Sequence, residues 1–200
     1  MKHPTSRMLH SYWDRLRRAR AAPERSEIEP GEIRNLLADS LILEIDMRRS
    51  AASVRLAGTH VCALFGRELR GRSFAELWGA PEADPWRLVE AVALDTVGVV
   101  AGLRGTTERA EVVDLELLLL PLRHHGETQS RVLGALSPAC VPQWLGIRPV
   151  TRLQTTSMRI LGHESAPRDA EATLRDLPEP ANDTVPLRRG HLLVHPGGRV

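Results

Sequence analysis

The stretch RLAGTHVCALFGRELRGRSFAELW, residues 55–78, decides the fold of this 200-residue chain. An apolar strand end at Leu56 is followed by a short helix that begins near Thr59 and stops at Gly66. A second short helix begins at Ser73. Two short helices after a strand, with a longer helix and further strands behind them, predict a ligand-sized cup on an antiparallel sheet.

The second short helix carries a capping box, SFAE at 73–76, in which Ser and Glu satisfy each other's backbone N–H groups. Three arginines precede it: Arg67, Arg70 and Arg72. A helix N-terminus attracts anions and guanidinium adds to that attraction, so an anionic ligand is one interpretation of this loop. The alternative is a solvated loop in which the arginines pair with Glu68 and Glu76.

The chain ahead of this stretch predicts a helix and a hairpin. Residues 6–22 have apolar side chains at helical spacing, with Tyr12, Trp13 and Leu16 among them. This trio either forms a protein interface or packs on the chain's own sheet. Alternating apolar and polar residues over 41–57 predict two antiparallel strands.

The chain behind it predicts a helix and more strands. The helix is capped by Asp84, starts at Pro85 and ends at Gly98. Strands follow at 99–104, 110–122 and 132–137, and residues 153–161 form an edge strand or an extended arm. Within the second strand, Leu118 and Leu120 make both faces apolar, so a helix is expected to cover that end.

These elements predict an α+β fold, an antiparallel sheet of about five strands with helices on one face and an amphipathic helix before it. The predicted domain covers residues 6–163. Residues 164–187 are rich in Pro, Glu, Asp and Ala, which predicts a flexible linker. Residues 188–200 contain GHLLVHPGG and predict a short strand or a docking peptide.

Composition narrows the classes of function. The net charge of +2 gives no reason to expect nucleic-acid binding. The longest apolar run is too short to cross a bilayer and the first residues lack a signal core, so we expect a cytoplasmic protein without stable membrane insertion. Cys62 and Cys140 have apolar neighbours, which predicts two buried, reduced thiols. Arginine outnumbers lysine 26 to one, from genome composition or from selection for anion contacts.

Four blocks carry a family resemblance: YWDRLRRARAAPERSEIEP, the opening stretch RLAGTHVCALFGRELRGRSFAELW, LELLLLPLRHHG and LGALSP. Together they resemble a family of compact, single-domain bacterial Per-Arnt-Sim (PAS) proteins, over roughly residues 8–163. The resemblance implies a PAS-like fold, no catalytic residues and a regulatory role in signal transduction. It implies no particular ligand or cofactor.

Function is therefore expected to be non-enzymatic, through contact with a regulatory protein partner or through a homodimer formed by the N-terminal helix. The alternative is a receptor that holds an apolar or anionic small molecule in the cup, lined by His60, Arg72, Phe74 and Trp78. The adjacent histidines at 124 and 125 are expected to lie at a turn. On a strand, neighbouring side chains point to opposite faces, so the two histidines could not easily bind one metal. Sequence signatures of hydrolases, nucleotide-binding loops and zinc proteases are missing.

Overall fold

The computed structural model describes residues 1–79 and 83–162, and the backbone of two strands at 187–189 and 192–194. The chain divides into two compact units, residues 1–163 and 164–200. None of the described helices combines the length and the apolarity needed to cross a membrane. The predicted linker at 164–187 falls almost entirely outside the described residues.

The first unit is built on a six-stranded sheet in which every neighbouring pair is antiparallel. Its strands are β1 (Ser40–Asp46), β2 (Ala51–Ala57), β3 (Gly98–Thr107), β4 (Val112–His124), β5 (Glu127–Pro138) and β6 (Val150–Leu161). Their order across the sheet is β2-β1-β5-β4-β3-β6. The α+β, PAS-like fold is confirmed, with six strands instead of five because the segment of uncertain role at 153–161 pairs along β3.

In the described part of the first unit, three α-helices and three 3-10 turns accompany the sheet. The α-helices are α1 (Pro4–Arg17), α2 (Thr59–Phe65) and α3 (Trp86–Asp95), and the 3-10 turns are Arg25–Glu27, Leu37–Asp39 and Phe74–Leu77. Helix α2 ends at Gly66, whose φ of 62° is the left-handed conformation expected of a terminating glycine.

The two faces of the sheet pack against different layers. One face packs against α2, the 3-10 turn Phe74–Leu77 and α3, which we call the helical layer. The other face packs against α1 and the connector that follows it, residues 22–37, which we call the N-terminal layer. Strand β4 is covered on both sides, with Leu117 and Leu119 under the helical layer and Leu118 and Leu120 under the N-terminal layer. The helix expected over Leu118 and Leu120 is therefore α1.

The caps of α3 differ from the sequence prediction. Pro85 lies at the N-cap without a side-chain cap, and Asp84 instead forms an ion pair with Arg87 at 3.3 Å. Thr96, with φ of 52°, ends the helix, two residues before the predicted Gly98. Gly98 opens β3, where a Cβ would lie 3.1 Å from side-chain atoms of Leu120 and Leu161, so its small size serves the sheet.

Helix α1 is fixed to the sheet by its aromatic side chains. Trp13 is 2% exposed and its indole Nε1 donates to the carbonyl oxygen of Pro121 at 2.8 Å. The hydroxyl of Tyr12 accepts from the Glu29 backbone N–H at 2.9 Å, which joins the helix to the connector. Leu16 is partly buried against the same apolar cluster. These three side chains thus occupy the chain's own sheet, one of the two alternatives left by the sequence.

Replacing Trp13 with Phe should lower the free energy of unfolding by roughly 1–3 kcal/mol, because the buried Pro121 carbonyl loses its indole donor. Chemical denaturation followed by circular dichroism measures this loss. Met8→Leu, at an exposed position of the same helix, should stay within about 0.5 kcal/mol of the parent. Equal effects of the two substitutions would contradict an anchoring role for the indole.

The second unit contains an antiparallel pair of short strands, β7 (Leu187–Arg189) and β8 (Leu192–Val194). The remaining positions of the predicted C-terminal peptide lie outside the described residues. Whether this segment docks on a protein surface stays a prediction.

Candidate functional site

Phe74 and Trp78, two of the four predicted cup residues, lie in the core between the helical layer and the sheet. Each is 2% exposed, and their rings meet edge to face with centroids 5.0 Å apart. The Trp78 indole also donates to the hydroxyl of Thr155 on β6 at 3.2 Å. Both rings therefore pack in the core and do not line an open cup.

His60 and Arg72, the other two predicted cup residues, lie on the surface. The His60 side chain is 68% exposed and its Nδ1 lies 3.1 Å from Asp39 Oδ1. Arg72 forms a loose ion pair with Glu76 at 3.9 Å. This pairing is the one expected if the arginine-rich loop is solvated and binds no anion. The fold therefore brings Phe74 and Trp78 together and directs the two polar residues elsewhere.

The predicted capping box is present. The Ser73 side chain accepts from the Glu76 backbone, and Glu76 Oε1 accepts from the Ser73 N–H at 3.3 Å. The preceding loop runs beside β2, where the Val54 N–H donates to the Arg72 carbonyl at 2.8 Å and the Gly71 N–H donates to the Val54 carbonyl at 2.7 Å. The loop thus extends the sheet at its β2 edge.

A surface cavity of about 520 Å³ lies at this β2 edge. The residues lining it are Arg25, Ile42, Arg55, Leu56, Ala57, Glu68, Arg70, His124 and Arg131. They come from the N-terminal layer, from four strands and from the loop between α2 and Phe74. Of the residues that the sequence singled out for a ligand, Arg70 is the one that lines this cavity.

Arg131 is the most buried charge in the cavity wall, with a side chain 10% exposed. Its Nη1 lies 2.6 Å from Glu44 Oε1, but the contact lacks the alignment of a hydrogen bond and that buried nitrogen has no other partner. Glu44 Oε2 also lies 3.7 Å from Arg55 Nη1. One carboxylate therefore serves two arginines of the wall.

The positive charge of the wall affects the pKa of His124. Burial lowers the pKa of His124, and the neighbouring His125, Arg131 and Arg55 lower it further, while Glu24 opposes them. The wall's own carboxylate, Glu68, accepts from the backbone N–H groups of Leu69 and Arg70, each at 3.0 Å. These N–H groups, that of Arg70 foremost, lower the pKa of Glu68 and keep it ionised.

The cysteines are both free, and their exposures differ. Cys62 is partly buried, and burial together with the nearby Glu68 carboxylate raises the pKa of its thiol. Cys140 is exposed, so the prediction of a second buried thiol is wrong: Cys140 follows β5 in an irregular segment at the surface.

The adjacent histidines lie where the hairpin turn was expected. His124 ends β4 and His125 adopts a φ of 54° in the turn to β5, with their ring centroids 4.1 Å apart. Within the part of the chain that the structure describes, no three His, Cys, Asp or Glu side chains converge as a metal site would require.

Comparisons with known proteins identify one family. The family model described as PAS domain matches residues 1–137. No curated protein matches the sequence. A solved structure from a study of the light-oxygen-voltage domain mechanism with a flavin analogue is 17% identical, covers 55% of this chain and 83% of its own, and has a TM-score of 0.41.

Proposed function

This chain belongs to the PAS domain family, and we propose that it is a non-enzymatic, cytoplasmic regulator that works through protein–protein contacts. A sensory signalling domain needs a surface that a partner can read. The observation that carries the proposal is the free edge of the sheet at β6.

Strand β6 has 12 residues and ends the strand order, so among the described strands it pairs on one side alone, with β3. Most of its side chains are exposed. The opposite edge differs, because the loop ahead of Ser73 bonds to β2 and blunts it. The Trp78 carbonyl accepts from the Leu153 N–H near the start of this edge, and the remaining edge from Gln154 to Leu161 is the kind of surface to which a partner adds an extended segment.

The side chains of β6 indicate the chemistry of that partner. Met158 and Ile160 lie opposite Ala101 and Val99, on the face of the helical layer, and both are exposed. Arg152 and Arg159 lie on the other face, and the strand contains no acidic residue. An extended partner segment with apolar residues on one face and acidic residues on the other would complement this edge.

A second copy of this chain suits the edge less well. Antiparallel pairing of two β6 strands about their midpoint would place Arg152 of each copy opposite Arg159 of the other. Like charges directly opposite each other destabilise a strand pair. We therefore favour a different protein with an acidic segment as the partner.

The helical layer has a direct connection to β6, which suggests how a signal reaches the edge. The Leu153 N–H donates to the Trp78 carbonyl at 3.3 Å, and Trp78 also donates its indole N–H to Thr155. A signal that changes the fit of the segment from Thr59 to Gly98 would shift β6 through these contacts. Such a signal must bind the two arrangements with different affinity, since a ligand shifts only an equilibrium that it binds unequally.

Ile160→Lys should weaken partner binding by at least about tenfold, because it replaces apolar edge area with a charge. A photo-crosslinking residue at position 158 first captures the partner in cells, and the purified partner is then titrated against the parent and variant chains. Val112→Lys is the matched control, since Val112 and Ile160 are both 51% exposed.

Retained binding by Ile160→Lys, with capture at position 158 no stronger than at Val112, would contradict the proposal. Both lysine variants should keep the parent's free energy of unfolding within about 0.5 kcal/mol, the usual range for surface substitutions. A folding defect therefore would not explain a loss of binding confined to Ile160→Lys.

A further inference from the structure

The cavity at the β2 edge is the place where three separately attached parts of the domain meet. Arg25 comes from the connector of the N-terminal layer, Arg70 from the loop that leads into the helical layer, and Arg131 from β5 of the sheet. We propose that this cavity binds a small organic anion, a phosphate or carboxylate that carries an apolar group. This inference does not depend on the partner contact at β6.

The carboxylates near the cavity balance only part of the positive charge of its wall. Four arginines line it together with a single carboxylate, Glu68, which is already occupied by backbone N–H groups. Glu44 lies beside Arg55 and Arg131. Among the described residues, no carboxylate forms an ion pair with Arg25 or Arg70, so an anion from solution would complete the set.

Arg131 supplies the second observation that points to a ligand. Its side chain is nine-tenths buried and lines the cavity, and the carboxylate beside its Nη1, Glu44 at 2.6 Å, is shared with Arg55. A buried guanidinium without its full set of acceptors is costly, because the charged N–H groups lose water without replacement. An oxyanion in the cavity would be a further acceptor for this guanidinium, beyond the carboxylate that Arg131 shares with Arg55.

The apolar part of the wall limits which anion fits. Ile42, Leu56 and Ala57 lie beside the arginines, and Leu56 is an exposed large apolar side chain. An anion with an alkyl or flat apolar group would cover Leu56 while its charge meets the guanidinium groups. A volume of about 520 Å³ is in the range of small-molecule sites.

The test is an NMR titration of the full chain that follows the imidazole signals of His124. The probes are hexyl phosphate, hexanoate, inorganic phosphate and hexyltrimethylammonium. One of the two hexyl anions should bind with a Kd of about 1 mM or tighter and more tightly than inorganic phosphate, and the cation should not bind. A bound anion should also raise the pKa of His124, since it opposes the positive charges of Arg131, Arg55 and His125 and acts in the same sense as Glu24.

Arg70→Gln should weaken the hexyl anion by about tenfold or more, the size expected from one charge-assisted contact. Arg67→Gln, three residues earlier in the same loop and outside the cavity wall, is the matched control and should change the Kd by less than about twofold. The inference is overturned if neither hexyl anion binds by about 1 mM, or if both glutamine variants bind like the parent. Equal affinity for inorganic phosphate and both hexyl anions would overturn the role of the apolar wall.

Discussion

Trp78→Ala is expected to lower the free energy of unfolding by about 3–5 kcal/mol, the range for removing a buried Trp or Phe side chain. The Trp78 ring packs against Phe74 in the core and donates to Thr155 of β6. Its removal would leave a cavity between the helical layer and the sheet and an unpaired hydroxyl. Urea denaturation, with circular dichroism as the signal, measures the loss.

Trp86→Ala is the matched control for Trp78→Ala. Trp86 begins α3, is partly buried and donates its indole N–H to Glu90 one turn later in the same helix at 3.2 Å. Its loss should cost clearly less than that of Trp78, because fewer apolar contacts disappear. If Trp78→Ala cost no more than Trp86→Ala, the cup would be an open space and the role of Trp78 as packing would be contradicted.

Gly58→Ala is expected to destabilise the domain by about 3 kcal/mol or more, at or above the upper range for overpacking. A Cβ at Gly58 would lie 2.0 Å from the Leu37 carbonyl oxygen and 2.3 Å from that of Ala38. These are backbone atoms, so relief requires the chain itself to move. Gly58 is the N-cap of α2 and its N–H donates to the Ser40 carbonyl at 2.8 Å, so movement there would disturb both helix and strand.

Gly31→Ala separates the clash from the general effect of replacing a glycine. No atom lies within 4 Å of a Cβ at Gly31. This variant should remain within about 0.5 kcal/mol of the parent. Comparable unfolding midpoints for the two alanine variants would show that the close approach at Gly58 is relieved without cost.

The sequence predicted those helices and strands that are specified by residues close together in the chain. Alternation in β4 identified a strand, and the side-chain spacing from Ser73 to Glu76 identified a capping box that the structure contains. The left-handed Gly66 ended α2 as expected. The same reasoning misplaced the end of α3, because Thr96 adopts a left-handed φ that propensity assigns to the following Gly98.

Partners across the fold were harder to predict than elements. The apolar stripe of α1 fits its own sheet or another protein equally well, and only the position of α1 over Pro121 decides between them. The free edge at β6 likewise depends on strand order. A sequence pattern gives the face of a strand but not its neighbours.

The cavity at the β2 edge shows why the candidate site escaped the sequence. Arg25, Arg55 and Arg131 are far apart in the chain, and each alone resembles a surface arginine. Arg70 was singled out with Arg67 and Arg72, but of these three arginines Arg70 alone lines the cavity. The site forms only where distant segments meet in the fold, so the residue pattern of a single segment does not predict it.

The measurement that tests regulation through protein contact most directly is amide hydrogen exchange on the complex with the partner captured at position 158. The account predicts slowed exchange along β6, Val150–Leu161, with the largest protection at amides that face away from β3. It also predicts that Ile160→Lys reduces this protection, in line with its weaker binding of the partner. Protection confined to α1 or to the 3-10 turn Phe74–Leu77, with exchange in β6 unchanged, would contradict the account.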